Sequence, residues 1–420
     1  MGLTGAGARD PALGIGARVP GLGIRGLDWK LELDTDVSSH FDVAIVGAGP
    51  AGSWAAYRLA EAGARVALLD ASHPREKPCG GGVTGRAFQL VASAVQALDL
   101  PVVSVRTASF AAAGRAAGVS FSSEERAAVT LGVVGRQVFD GALLAAAARI
   151  GAVHRAMRVT AIERTASMWT VSALSERVTC DWLIGADGAT SLVRRRVASP
   201  FPRSELSVAT GYFVRDVSSN EIAIDFDGVP TGYVWSFPRA DHLAVGACGQ
   251  ADTVSAPSLL AHTRAWIGRH VKDGGNLQRY SWPIPSLTES ALRAECPAGD
   301  RWMLLGDAAG LVDPITREGI YFALLSAEHA AASLRGHSPD VEYVQRLRDT
   351  IYDELIRAAQ LKARFFRPEL LALLVRALNR SAHVREIMAD LVAGRQTYAG
   401  LRRRLLGTLE WGLMFELLRL

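Results

Sequence analysis

Lysine is almost missing from this chain. Lys30, Lys77, Lys272 and Lys362 are the only four in 420 residues, and the remaining basic residues are arginines. The formal net charge is just +4, and no basic stripe is interleaved with aromatics, so nucleic acid is not an expected partner. Cysteine is scarce too. Cys79, Cys180, Cys248 and Cys296 form no CxxC pair, which excludes a zinc framework or a disulfide scaffold and makes a reducing cytoplasm the default compartment. The nine histidines show no metal-ligand spacing, so no metal is expected. No run of 18 apolar residues occurs, so no membrane-spanning helix is expected. Ser191 lies in no nucleophile elbow. Residues 1–39 hold no apolar stretch of signal-peptide length, because eight glycines in the first 26 residues, with Pro11 and Pro20, interrupt it. A disordered extension is the expectation there.

What the chain does have is three glycine motifs, far apart and converging on one kind of ligand. The strand-like run Phe41–Val46 leads into Gly47-Ala48-Gly49-Pro50-Ala51-Gly52. Gly47 allows a tight turn, Gly49 lets backbone approach a pyrophosphate, and Gly52 lets the next helix pack on the strand. That helix, from Pro50 to about Ala62, aims its first amides at phosphate. A second strand, Arg65–Leu69, ends in Asp70, followed by Ala71. A carboxylate there accepts from adenosine ribose hydroxyls and repels a 2′-phosphate. The second motif is Leu183-Ile184-Gly185-Ala186-Asp187-Gly188, and the third is Leu304-Leu305-Gly306-Asp307-Ala308-Ala309-Gly310. One motif implies a dinucleotide; three imply FAD, whose ADP, pyrophosphate and ribityl parts need separate contacts. No second GxGxxG occurs. A nicotinamide reductant, NAD(P)H, must therefore bind transiently, or a protein donor such as reduced ferredoxin replaces it.

The organisation follows from pattern. Cofactor segments fall at 40–85, 131–198 and 297–335, interrupted by strand-rich insertions at 86–130 and 199–296 that form a substrate-binding domain. Ser207–Val214, Glu221–Phe226, Gly232–Phe237 and His242–Cys248 alternate as antiparallel strands do. Residues 336–420 read as helical, broken at Pro368 and Gly394. The expected fold is α/β: a Rossmann-like FAD domain, an inserted antiparallel-sheet domain and a helical C-terminal region.

The three motifs resemble those of the flavoprotein class typified by aromatic hydroxylases, with its three-layer FAD domain. Within it, Lys77-Pro78-Cys79-Gly80-Gly81-Gly82, Tyr233-Val234-Trp235-Ser236-Phe237-Pro238 and Gly306 through Ile320 resemble the geranylgeranyl reductase family. The resemblance covers roughly residues 41–335. It implies an FAD-dependent oxidoreductase that reduces carbon–carbon double bonds of a prenyl chain. It places Asp187 and Gly188 near the pyrophosphate and Asp307 on a ribityl hydroxyl. It brings Arg136 to the phosphate region and the backbone through Gly319 and Ile320 to the isoalloxazine. It puts Cys79, Gly80 and Gly81 beside flavin and substrate, where the Cys79 thiol either donates a proton, shapes hydride delivery to the alkene or packs as a small apolar residue, and it lines the lipid pocket with Tyr233 and Trp235. Arg317 stands where some relatives read glycine. The same motifs leave a second reading open, a monooxygenase or halogenase acting on an aromatic or natural-product substrate. The basic C-terminal helices, with 14 Arg and Lys against 9 Asp and Glu over 341–420, suit peripheral contact with an anionic bilayer, at the inner face of the membrane.

Overall fold

The computed structural model describes residues 40–95, 98–121, 131–174, 176–272 and 275–407. The expectation for 1–39 lies outside the described residues. The first sheet is built on His40–Val46, which pairs in parallel with Val66–Leu69 on one side and Arg177–Gly185 on the other. Trp302–Leu304 and Val153–Arg155 extend it in parallel at either side. Every residue of Val66–Leu69 is buried, as expected of a parallel strand covered on both faces. The helix Pro50–Glu61 packs with the helices Arg136–Arg149 and Ile320–Ser333. The hairpin strands Ala161–Arg164 and Trp169–Ser172 add antiparallel to Arg177–Gly185. This is the aromatic-hydroxylase type of FAD-binding fold.

A second sheet has seven strands, in the order Leu277–Pro285, Leu206–Arg215, His242–Gln250, Tyr233–Pro238, Glu221–Asp225, Thr107–Ala112 and Arg115–Ser120. It joins chain segments on both sides of the middle cofactor segment, through the parallel pair of Glu221–Asp225 with Thr107–Ala112. Alternation sorts its side chains. Val234, Val245 and Ala247 pack toward the helix Ala256–His270. Tyr233, Trp235, Ala209 and Phe110 share a core with the helices Pro368–Arg380 and Ala382–Val392. The strand Leu277–Pro285 is not evident from its sequence. It lies at the sheet edge, where Pro283 and Pro285 leave no ladder donor wanting.

The C-terminal region is helical as its pattern predicts. Pro339–Leu347, Asp353–Phe365, Pro368–Arg380, Ala382–Val392 and Tyr398–Leu406 follow in turn. Pro368 opens one helix at its first turn, and Gly394, in the left-handed region, lies between the last two. A further break falls at Ser381, whose hydroxyl accepts from the Val384 amide at 3.2 Å and caps the next helix. Among the described residues no helix is long and apolar enough to cross a membrane.

Candidate active site

The three glycine motifs meet at the carboxyl ends of adjacent parallel strands. Gly47 N–H donates to Leu69 O at 2.9 Å, Ala186 N–H to Val46 O at 2.8 Å and Leu305 N–H to Gly185 O at 2.8 Å. Ligands of open α/β sheets bind at this edge. Gly47 has φ +102°, and a side chain there would meet the Ala186 carbonyl at 2.4 Å. A Cβ at Gly52 would lie 1.8 Å from Gly47 O, so helix and strand pack at a distance only glycine permits. Gly49 is open by contrast: its nearest neighbour, His73 Nε2, is 3.7 Å from where a Cβ would stand. The helix Pro50–Glu61 starts there with no side-chain cap, so its first amides are left for a ligand. A tight turn, an open approach and uncapped amides fit the pyrophosphate of FAD.

Asp70 ends its strand as the sequence predicts, yet its oxygens already accept from protein donors. The Ala48 amide lies at 3.0 Å, the Ser72 amide at 2.6 Å and His73 Nδ1 at 2.8 Å. Burial disfavours the charged carboxylate, but His73 and these amides outweigh it and hold Asp70 below the usual range. Ala71 is exposed beside it. Asp187, before Gly188, accepts from Leu192 N–H at 2.6 Å, from Val193 N–H at 3.2 Å and from Ser191 Oγ. It therefore orders the amides of the helix Leu192–Val197. Burial pushes its pKa up. Arg194 ties this motif to the third, with both terminal nitrogens on Glu295 at 3.0 and 2.7 Å and one on Ala308 O at 3.2 Å. Asp307 follows Gly306 and takes Lys77 Nζ at 2.8 Å. The helix Ile320–Ser333 begins at Gly319 without a side-chain cap, and a Cβ at Gly319 would stand 3.3 Å from Asp307 Oδ1.

From this edge a cavity of about 1130 Å³ runs between the second sheet and the C-terminal helices. Pro50, Cys79, Gly80, Gly81, Arg136, Asp307, Gly319 and Ile320 line one part of it. Phe110, Ile222, Tyr233, Trp235, Leu374 and Met388 line the rest. Gly47, Gly49, Ala51, Gly52, Asp70, Ala71, Asp187, Gly188 and Gly306 are not on its wall; they belong to the strand-end edge. Arg136 is 3% exposed and is held on both oxygens of Asp140, at 2.9 and 2.7 Å. Tyr233 donates its hydroxyl to Thr316 O at 2.6 Å, tying the sheet to the Pro314–Gly319 turn. Trp235 Nε1 is buried with no partner. Cys79 is half-buried, and its sulfur accepts from the Gly81 amide at 3.3 Å.

A match to the FAD binding domain model spans residues 40–247. The chain is 32% identical over 326 residues to the menaquinone reductase of Mycobacterium tuberculosis, covering 71% of this chain and 77% of the relative. The chain belongs to the geranylgeranyl reductase family of FAD-dependent oxidoreductases. It is also 29% identical to the geranylgeranyl diphosphate reductase of Rhodobacter capsulatus, over 69% of this chain and 74% of that one. The fold matches a geranylgeranyl bacteriochlorophyll reductase-like protein of Thermoplasma acidophilum, with TM-score 0.72 and 21% identity over 88% of this chain and 99% of that one.

Arg239, Glu76, Lys362 and Glu318 at this reductase-family site escape a reading of the sequence. Arg239, 2% exposed, donates to Val134 O at 2.5 Å, Glu76 Oε1 at 3.1 Å and Cys79 O at 3.0 Å. Glu76 in turn accepts from the Arg136 and Gln137 amides at 3.2 and 3.0 Å, capping that helix. The Cys79 loop is therefore pinned to the second sheet and to a cofactor-domain helix. The only sequence signal was that Arg239 directly follows the Tyr233–Pro238 segment. Arg317, at φ +61°, shares the Ser286 hydroxyl with Lys362, at 2.5 and 2.7 Å. Burial and the Arg317 charge push Lys362 down to about 7. Glu318, with its pKa raised by burial, accepts from Arg86 at 2.8 Å and Thr84 at 3.1 Å.

Proposed function

We propose that this protein reduces isolated carbon–carbon double bonds in a prenyl chain of the geranylgeranyl type. The continuous apolar cavity that begins at the Cys79 loop and passes between the second sheet and the C-terminal helices carries this reading. The cavity, about 1130 Å³ in all, includes the cofactor end at the Cys79 loop, and the wall beyond that end is aliphatic and aromatic, as a long apolar chain requires. FAD, when bound, supplies the reducing equivalents as hydride to one alkene carbon. The proton for the other carbon comes from the Cys79 thiol, which lines the cavity on a loop held by Arg239. Phe110, Ile222, Trp235 and Leu374 exclude water and hold the chain. Tyr233 positions the Pro314–Gly319 turn against the reacting end through its bond to Thr316 O.

The electron donor in this reading is NAD(P)H or a reduced ferredoxin-type protein that docks transiently. Arg402, Leu405 and Leu406 of the helix Tyr398–Leu406 line the cavity, and in this reading they flank the entrance for the lipid. Basic and apolar side chains at a lipid entrance favour peripheral contact with an anionic bilayer from the cytoplasmic side. Anaerobic incubation of the chemically reduced protein with a geranylgeranyl lipid, followed by mass spectrometry, tests the reaction. Gain of hydrogen pairs is expected. Oxygen incorporated into the substrate in air, without hydrogenation anaerobically, would select the monooxygenase reading instead.

A further inference from the structure

His73 appears above only as a partner of Asp70 and a neighbour of Gly49, yet it is buried at the cofactor edge among charges. Its side chain is 8% exposed. Nδ1 meets Asp70 Oδ2 at 2.8 Å, and Nε2 lies 3.5 Å from Asp140 Oδ2. Asp140 is fully buried and holds Arg136 on both oxygens. The result is a line of alternating charge, Asp70–His73–Asp140–Arg136, running from the ribose end of the cleft to the cavity. Two carboxylates against one arginine leave a negative excess, which a protonated imidazole cancels. The same Nε2 is the nearest neighbour of Gly49, in the turn where the open approach and uncapped amides fit a pyrophosphate.

We propose that His73 is a cofactor-binding cation: protonated between Asp70 and Asp140, it faces the pyrophosphate of FAD over Gly49 and makes cofactor affinity depend on its own charge. Both ring nitrogens are taken by carboxylates, so what reaches the phosphates is the charge of the ring rather than a hydrogen bond from it. The groups that face the ring from each packed element favour its protonation, with one exception. Asp70 at its strand end and Asp140 on the helix Arg136–Arg149 raise its pKa against the cost of burial. Arg136 is taken up by Asp140. His154, on Val153–Arg155, is the exception; it is bonded to Asp70 O at 3.1 Å, and burial lowers its own pKa, which keeps it neutral. Neutral His73 would leave Asp70 facing the cofactor without its counter-charge, so FAD should bind more weakly as pH rises through the raised pKa of His73.

The test is a fluorescence titration of the FAD-free protein with FAD from about pH 6 to about pH 9, for the wild type and His73→Gln. The wild-type Kd should rise roughly tenfold across that range, the scale of one unit charge acting over several ångströms at a partly solvated edge. His73→Gln should show the weak value throughout, with a flat profile. A variant that keeps both the wild-type affinity and the wild-type slope would overturn the proposal. If His73→Gln does not fold, the wild type alone decides it. The ³¹P resonances of bound FAD should titrate with the same midpoint as the His73 ring proton, and ³¹P shifts that ignore that midpoint would overturn it.

Discussion

Replacing Arg239 by methionine should loosen the loop that carries Cys79. The side chain is 2% exposed and makes three hydrogen bonds, two to main-chain carbonyls and one to Glu76. Removing one member of a buried charged network costs about 3–5 kcal/mol. Glu76 keeps a side-chain exposure of 27% and can rehydrate, so the low end, about 3 kcal/mol, is expected. The lost stability should be accompanied by a local effect, because the Cys79 and Val134 carbonyls lose their shared donor together. Urea unfolding of the FAD-loaded protein measures the first, and the rate of Cys79 modification by a thiol reagent measures the second. Arg239→Lys should recover part of the stability but not the loop, since one ammonium cannot span three acceptors on two segments. A loss under about 1 kcal/mol with unchanged thiol reactivity would refute the view that Arg239 pins this loop.

Gly52→Ala should cost about 1–3 kcal/mol and abolish FAD retention, because the added Cβ would fall 1.8 Å from Gly47 O; absorbance of the purified protein checks this. Cys79→Ser should keep FAD but lose turnover, and unchanged turnover would reduce Cys79 to a packing residue. Leu374→Trp should narrow the cavity wall, lowering turnover of a long prenyl chain while sparing a short one in a direct comparison of the two substrates. Lys362, pushed down to about 7 when folded, binds fewer protons folded than unfolded between about pH 7 and its ordinary value near 10.5. Stability should therefore rise with pH over that window, and Lys362→Met should flatten the rise in denaturant titrations.

The sequence was most legible where chemistry demands a fixed local pattern. Gly47, Gly52 and the Pro50 helix start are readable because a turn and a close helix–strand contact admit few residue types. The C-terminal helices declare themselves through their apolar period and through Pro368 and Gly394. Less was legible where the fold decides which partner a side chain meets. Asp70 reads as a ribose contact, but its bonds to His73 and Ala48 depend on a loop that folds back over the strand end. Arg136 reads as a phosphate contact, and its spacing does not announce that Asp140, one turn later, holds its Nε and Nη2.

By itself the sequence determined that this is an FAD protein of α/β build, because backbone approach to phosphate is possible only with glycine at set spacings. Its alternating apolar residues likewise determined where most strands run. The tertiary structure alone decided that Thr107–Ala112 and Glu221–Asp225 share a sheet, that Arg239 reaches Cys79, and that helices more than 100 residues beyond Trp235 close the cavity over it. Those outcomes rest on burial and pairing between segments far apart in the chain, and no local spacing encodes which distant surface will cover another.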